Sequence, residues 1–136
     1  MSSQAASRRK LILDVDTGTD DAVAIMLAAL HPALDLVACT TVNGNVEVEH
    51  CTDNTLRVLD HIGRADIPVY EALSRPLVRA DFPIPRSVDD LAGKIHGKTL
   101  PLPAASQAKA ASGAVEFLIE TFRNTTEESC WSPSRP

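Results

Sequence analysis

Apolar residues recur along this chain in two rhythms. Leu11, Ile12, Leu13 and Val15 form a short, nearly continuous apolar run, as in a strand buried on both faces of a parallel sheet. Ala22 to Leu30, AVAIMLAAL, is apolar nearly all round and ends before His31-Pro32, which predicts a crossover helix buried on most sides. The β-branched run from Leu36 to Val42 predicts a second strand, broken at Asn43-Gly44-Asn45. Val48, Cys51, Leu56, Leu59 and Ile62 then fall mostly three and four residues apart, so a helix is expected from Val46 to about Ile62, with one wet face and Gly63 as its stop. Ile67 to Tyr70 reads as a third short strand with Pro68 at its entry or on an edge.

Beyond that point the rhythm fades. Glu71 to about Gln107 holds most of the prolines and little periodicity, the signature of a functional or disordered loop. Ala111 to Arg123 recovers a helical pattern through Ala114, Val115, Leu118 and Phe122. The polar stretch 124–136, with two prolines, predicts no fourth strand. The expected organisation is a disordered tail at 1–9, one α/β domain at 10–123 and a polar tail at 124–136, with no internal repeat.

Two β-α-β units of this length are right-handed and parallel in nearly all proteins, which places each βα loop at the carboxyl edge of an open sheet. The fold class expected is therefore α/β, an open, mostly parallel, Rossmann-like sheet with crossover helices. Ligands bind at that edge in such sheets. The first βα loop carries Asp14, Asp16, Asp20 and Asp21 within eight residues. Two such charges about 5 Å apart repel by roughly 3 kcal/mol at an effective dielectric near 20, so the cluster needs protons, hydrogen-bond donors or a cation. Thr19 or Asp20 is expected to cap the following helix, whose dipole favours acids in its first turn.

Spacing separates the candidate chemistries. An EF-hand starting at Asp14 would need glycine and glutamate where Thr19 and Ile25 stand. A phosphate-binding loop needs glycines and a helix start free of acids. Asp14 and Asp16 match the Asp-x-Asp pair of haloacid dehalogenase-type phosphatases, but Gly18 and the second acidic pair do not, so this is the alternative. A non-catalytic fragment that binds a cation or a partner chain is the other.

The run DVDTGTDDAVA, followed by TTVNGNV, resembles the inosine-uridine preferring nucleoside hydrolases, whose signature is Asp-x-Asp-x-Gly-x-Asp-Asp-Ala. Thr17 stands where many members carry proline, a position expected only to shape the turn. The resemblance implies hydrolysis of the N-glycosidic bond of purine or pyrimidine ribonucleosides to ribose and free base, a salvage reaction. It implies a calcium ion held by Asp16 and Asp21, with Asp16 also taking the proton from a calcium-bound water. Asp20 and Asn45 would hold the ribose hydroxyls, Asp14 would support the loop, and His96 would be a loop contact to substrate. The glycines that follow His-Gly in the family are missing after His96-Gly97. Family members are considerably longer, and the likeness is expected to end at Arg123 with 124–136 a non-family tail, so the chain is expected to be a truncated form carrying half of a site, with slow turnover or none. Homo-oligomers are expected of the full-length family.

Composition narrows the setting. A net charge of -5 over 136 residues, concentrated in the acidic loop, argues against a nucleic-acid partner. Cys39, Cys51 and Cys130 have no paired spacing, as in a reducing compartment. No apolar stretch reaches the length of a membrane span and the first ten residues lack the apolar core of a signal peptide, so a cytoplasmic protein is expected. His31, His50 and His61 are expected to have no catalytic part.

Overall fold

The computed structural model describes residues 8–75, 78, 97–124 and 130–133. Strand β1 (Arg9–Val15) leads into helix α1 (Thr19–Leu30), then β2 (Leu34–Thr41), α2 (Val48–His61), β3 (Val69–Glu71), α3 (Ala114–Asn124) and β4 (Cys130–Pro133). The sheet has the order β3-β2-β1-β4, and every pairing in it is parallel. This is the open α/β architecture expected from the two rhythms of the sequence.

Strand β1 is apolar through its middle, Leu11 to Leu13, because it is interior, with β2 on one side and β4 on the other. Ile12 and Val15 are buried, while Leu11 and Leu13 pack against the core from its margin. The β1–β2 register shifts between Leu11 and Ile12, passing over Val37 and bringing Asp14 opposite Thr40. Such a bulge re-aims the residues beyond it, here the end of the strand that carries the acidic loop.

Helix α1 buries Ile25 together with Ala22, Ala28 and Ala29, small residues that let it lie close to the sheet. It is not covered on most sides, as its all-round apolarity predicted. Val23, Leu27 and Leu30 recur along one stripe and are about 60% exposed. On α3, Ala114 is buried while Val115, Ile119 and Phe122 remain partly exposed, at 41–45%. The Phe117 ring stacks on Tyr70 at the sheet edge, centroids 3.9 Å apart.

Helix α2 begins two residues later than its apolar pattern predicted and ends as expected. Gly63 adopts φ +72, its N–H bonds the Asp60 carbonyl, and the Arg64 N–H bonds that of Leu59 at 2.8 Å. These are the paired bonds of a Schellman stop, which a left-handed glycine permits. Arg64 also donates through Nη1 to the Ala29 carbonyl at 2.6 Å, tying the ends of α1 and α2. Val58, Leu59 and Ile25 meet between the helices and the sheet, with Ile67, Val69 and Leu100 completing the core. Each such side chain contributes about 1.5–3 kcal/mol on burial.

The fourth strand corrects the expectation for the end of the chain. Residues 130–133 pair with β1 from Leu11↔Cys130 to Asp14↔Pro133, although their composition disfavours a strand. The physical reason is non-local: β1 would otherwise present a free row of backbone N–H and C=O groups on that side. Proline is tolerated on an edge strand, and Pro133 closes this one.

Candidate functional site

The strand order reverses direction at β1. From β1 the chain steps outward through β2 and β3 on one side, while β4 returns to the other. Crevices at such a switch, beyond the carboxyl ends of the strands, are where open α/β sheets bind ligands. Asp14 is the penultimate residue of β1, Asp16 directly follows the strand, and Asp20 and Asp21 lie in the first turn of α1. The loop after β2, Asn43 to Asn45, reaches the same edge.

Backbone groups hold the carboxylates in place. Asp16 accepts a hydrogen bond on Oδ2 from the Asn45 N–H at 2.8 Å, and the Asn45 side-chain amide donates to the Asp16 carbonyl at 3.3 Å. The Asp16 N–H in turn donates to Oδ2 of Asp21 at 3.0 Å. Gly44 makes this crossing possible. A Cβ there would sit 2.0 Å from Asp16 Oδ2 and 2.4 Å from Asp16 Cβ. The Asn-Gly-Asn sequence is thus more than turn chemistry, because the glycine is the gap through which two loops approach. Asp14 is anchored from below by the Thr40 hydroxyl, which donates to Oδ1 at 2.6 Å. Asp20 is exposed.

The helix start differs from expectation. Gly18 is the N-cap of α1 and no side chain caps it, so neither Thr19 nor Asp20 fills that role. Asp21 is turned toward the Asp16 backbone instead. Its carboxyl is pushed up to about 6, chiefly by burial and then by the charge of Asp16. Asp14 is also raised, by burial first, with the Thr40 hydrogen bond opposing and Asp16 adding. Carboxylates held against each other and away from water are a site whose strain a cation would relieve.

Hard oxygens suit calcium or magnesium, and Asp16 and Asp21 each commit one of two carboxylate oxygens to a backbone N–H. The pair fits part of a coordination sphere. No group of three or more His, Cys, Asp or Glu side chains with metal-binding geometry occurs among the described residues. His96 lies outside the described residues, so its expected loop contact has no geometry here. Cys39 is buried, its thiol pushed up to about 12 by desolvation, and it takes no part.

Beneath the acids lies a polar layer that the sequence did not signal as functional. Thr17, Thr40, Thr41, Thr52, Asn54 and Thr55 are all buried. Thr55 donates to the Cys51 carbonyl, so in its 2.7 Å contact with Thr17 the Thr17 hydroxyl is the donor. Thr41 donates to Thr52 by the same logic. Thr17 therefore does more than shape the turn. The available signal was the placement of Thr52, Asn54 and Thr55 among the buried positions of α2, where apolar residues are the rule.

The family model described as inosine-uridine preferring nucleoside hydrolase matches residues 11–132. An uncharacterized protein of Schizosaccharomyces pombe is 44% identical over 115 residues, covering 85% of this chain and 36% of that protein. Uridine nucleosidase 1 of Arabidopsis thaliana is 40% identical over 111 residues, covering 82% and 32%. Among solved structures, a purine-preferring ribonucleoside hydrolase from Gardnerella vaginalis superposes with a TM-score of 0.78 at 29% identity, covering 94% of this chain and 40% of that one. The chain thus spans about a third to two-fifths of the length of these proteins.

Proposed function

The chain belongs to the inosine-uridine preferring nucleoside hydrolase family, and from that premise we propose that its acidic loop serves hydrolysis of the N-glycosidic bond of ribonucleosides, giving ribose and free base. The observation that carries this reading is the convergence of Asp14, Asp16 and Asp21 at the carboxyl end of β1, with Asp21 raised by burial and by Asp16. Membership sets aside phosphotransfer through Asp14, whose carboxylate is engaged by Thr40.

In this reading Asp16 and Asp21 would hold a calcium ion, which when bound supplies positive charge for the sugar hydroxyls and acidifies water. Asp16 accepts a proton from the attacking water. The water oxygen bonds to the anomeric carbon as the bond to the base nitrogen breaks, and the electron pair leaves with the base, which takes a proton from solvent. Carboxylates near the ring stabilise the oxocarbenium-like charge that develops. Exposed Asp20 and the Asn45 amide bind ribose hydroxyls, while Asp14, fixed by Thr40, supports the loop. Nucleosides are the proposed partners; no helix among the described residues is long and apolar enough to cross a membrane, and a cytoplasmic location is part of the proposal.

The test is release of free base from inosine and uridine, followed chromatographically with added calcium and with chelator. Because the chain spans about a third to two-fifths of its relatives' length, the expected outcome is at most slow, calcium-dependent release, which Asp16→Asn abolishes. Release no greater than from Asp16→Asn would refute catalysis by this chain, and calcium calorimetry would then separate a cation-binding chain from one with no metal function.

A further inference from the structure

Asn54 is 1% exposed and spends its whole carboxamide on backbone atoms far away in sequence. Its Nδ2 donates to the Thr17 carbonyl at 3.1 Å and to the Lys98 carbonyl at 3.3 Å, and its Oδ1 accepts from the Leu100 N–H at 2.9 Å. Thr17 is the residue between Asp16 and Gly18. It is gripped twice by α2, at its carbonyl by Asn54 and at its hydroxyl by Thr55. Lys98 to Leu100 follow directly on Gly97, whose φ is +63. The segment then continues along α2, where Arg57 donates to the Leu102 carbonyl and the Ser106 hydroxyl to Asp60.

We propose that Asn54 is a positioning residue that couples the acidic loop to the segment 98–100, so that the two order together. The chemistry admits few substitutes. Two donors and one acceptor must diverge from one planar group, and an aspartate of the same shape offers no donor and would turn a charge on two carbonyls. Because coupling is reciprocal, a ligand that orders Asp16 and Asp21 also orders Leu100, whose N–H is held by Asn54. The metal arm of this inference rests on the function proposed above; the coupling itself does not.

The test is amide hydrogen exchange on the full chain, with and without calcium, in wild type, Asn54→Asp, the milder Asn54→Ser, and Thr55→Val, which removes the hydroxyl grip without touching 98–100. After the change in global stability is subtracted, both Asn54 variants are expected to lose protection at Leu100 and at the Asp16 amide together, while Thr55→Val keeps Leu100 protected. Calcium is expected to slow Leu100 exchange in wild type, and Asn54→Ser to bind calcium about tenfold more weakly, the usual scale for a residue that orients metal ligands. Loss confined to Leu100, unchanged exchange at both sites, or calcium affinity equal to wild type would overturn the coupling. If wild type binds no calcium the metal reading fails, and the metal-free exchange of Asp16 and Leu100 still decides the role of Asn54.

Discussion

Replacing Gly44 by alanine should displace the site's central carboxylate. The added Cβ would lie 2.0 Å from Oδ2, 2.5 Å from Cγ and 2.4 Å from Cβ of Asp16. The last of these is attached to the backbone, so rotation of the carboxylate alone cannot clear the clash. Either the loop 43–45 lifts away or the backbone at Asp16 shifts, and both break the 2.8 Å bond from Asn45 N–H. A hydrogen bond to a charged group contributes about 1.5–3 kcal/mol, and overpacking of this kind costs about 1–3 kcal/mol. The two overlap, because breaking the bond is how the clash is relieved, so a loss of about 2–4 kcal/mol is expected, or roughly 10 °C in Tm. Thermal unfolding followed by circular dichroism in chelator reads the first effect. The difference in Tm between calcium and chelator reads the second, and it should vanish in Gly44→Ala. Gly113→Ala is the control, since the tight contact of its Cβ would be with the flexible far end of the Glu116 side chain at 2.6 Å, the Glu71 carbonyl lying at an ordinary 3.7 Å. A Gly44→Ala protein as stable as Gly113→Ala, with its calcium response intact, would refute the argument.

Asp21→Asn should stabilise the metal-free chain. The Asp21 carboxyl rises from 3.8 to about 6 on folding, so the folded state holds its proton more tightly than the unfolded one and stability falls as pH rises through that window. At about 1.4 kcal/mol per pH unit, ionised Asp21 costs up to about 3 kcal/mol at pH 7. Asparagine avoids that cost and still accepts the Asp16 N–H. Urea unfolding in chelator at pH 4 and pH 7 should show the variant more stable at pH 7 with a flatter pH dependence; a variant less stable at pH 7 contradicts it. Cys39, pushed up to about 12 from 9.0, should resist a soluble disulfide reagent at pH 8 until the chain unfolds. Its folded-state shift also removes stability as pH rises from about 9 toward 12. Labelling of native Cys39 faster than global unfolding, identified by mass spectrometry, would show the thiol to be accessible.

The acidic loop was legible because its signal is contiguous. Four acids, one glycine and a strand-to-helix transition occupy residues 14–21, and no distant partner is needed to see them. The first two strands, α1 and α2 were legible for a similar reason, since periodicity is a local property of a buried face. Neither the glycine gap at Gly44 nor the reach of Asn54 was readable. The contact of Gly44 with Asp16 and those of Asn54 with Thr17 and Leu100 join residues 28 to 46 apart in sequence. Nothing in the composition of an Asn-Gly-Asn turn or a helical asparagine announces such a partner. Calcium and the base acted on are likewise not read from the fold, and rest on the proposal.

The sequence by itself determined the alternation of strand and helix, the parallel sheet and the identity of the carboxylates, because each follows from local spacing and side-chain chemistry. Tertiary structure alone decided how the acids are held. It set Asp14 beside Thr40 through a bulged register, fixed Asp16 by a backbone N–H across a glycine gap, turned Asp21 inward against Asp16, and left the helix cap to Gly18 rather than Thr19 or Asp20. It also recruited the proline-bearing stretch 130–133 as a strand. That strand closes one side of β1 because an unpaired backbone edge is costlier than a poor local propensity.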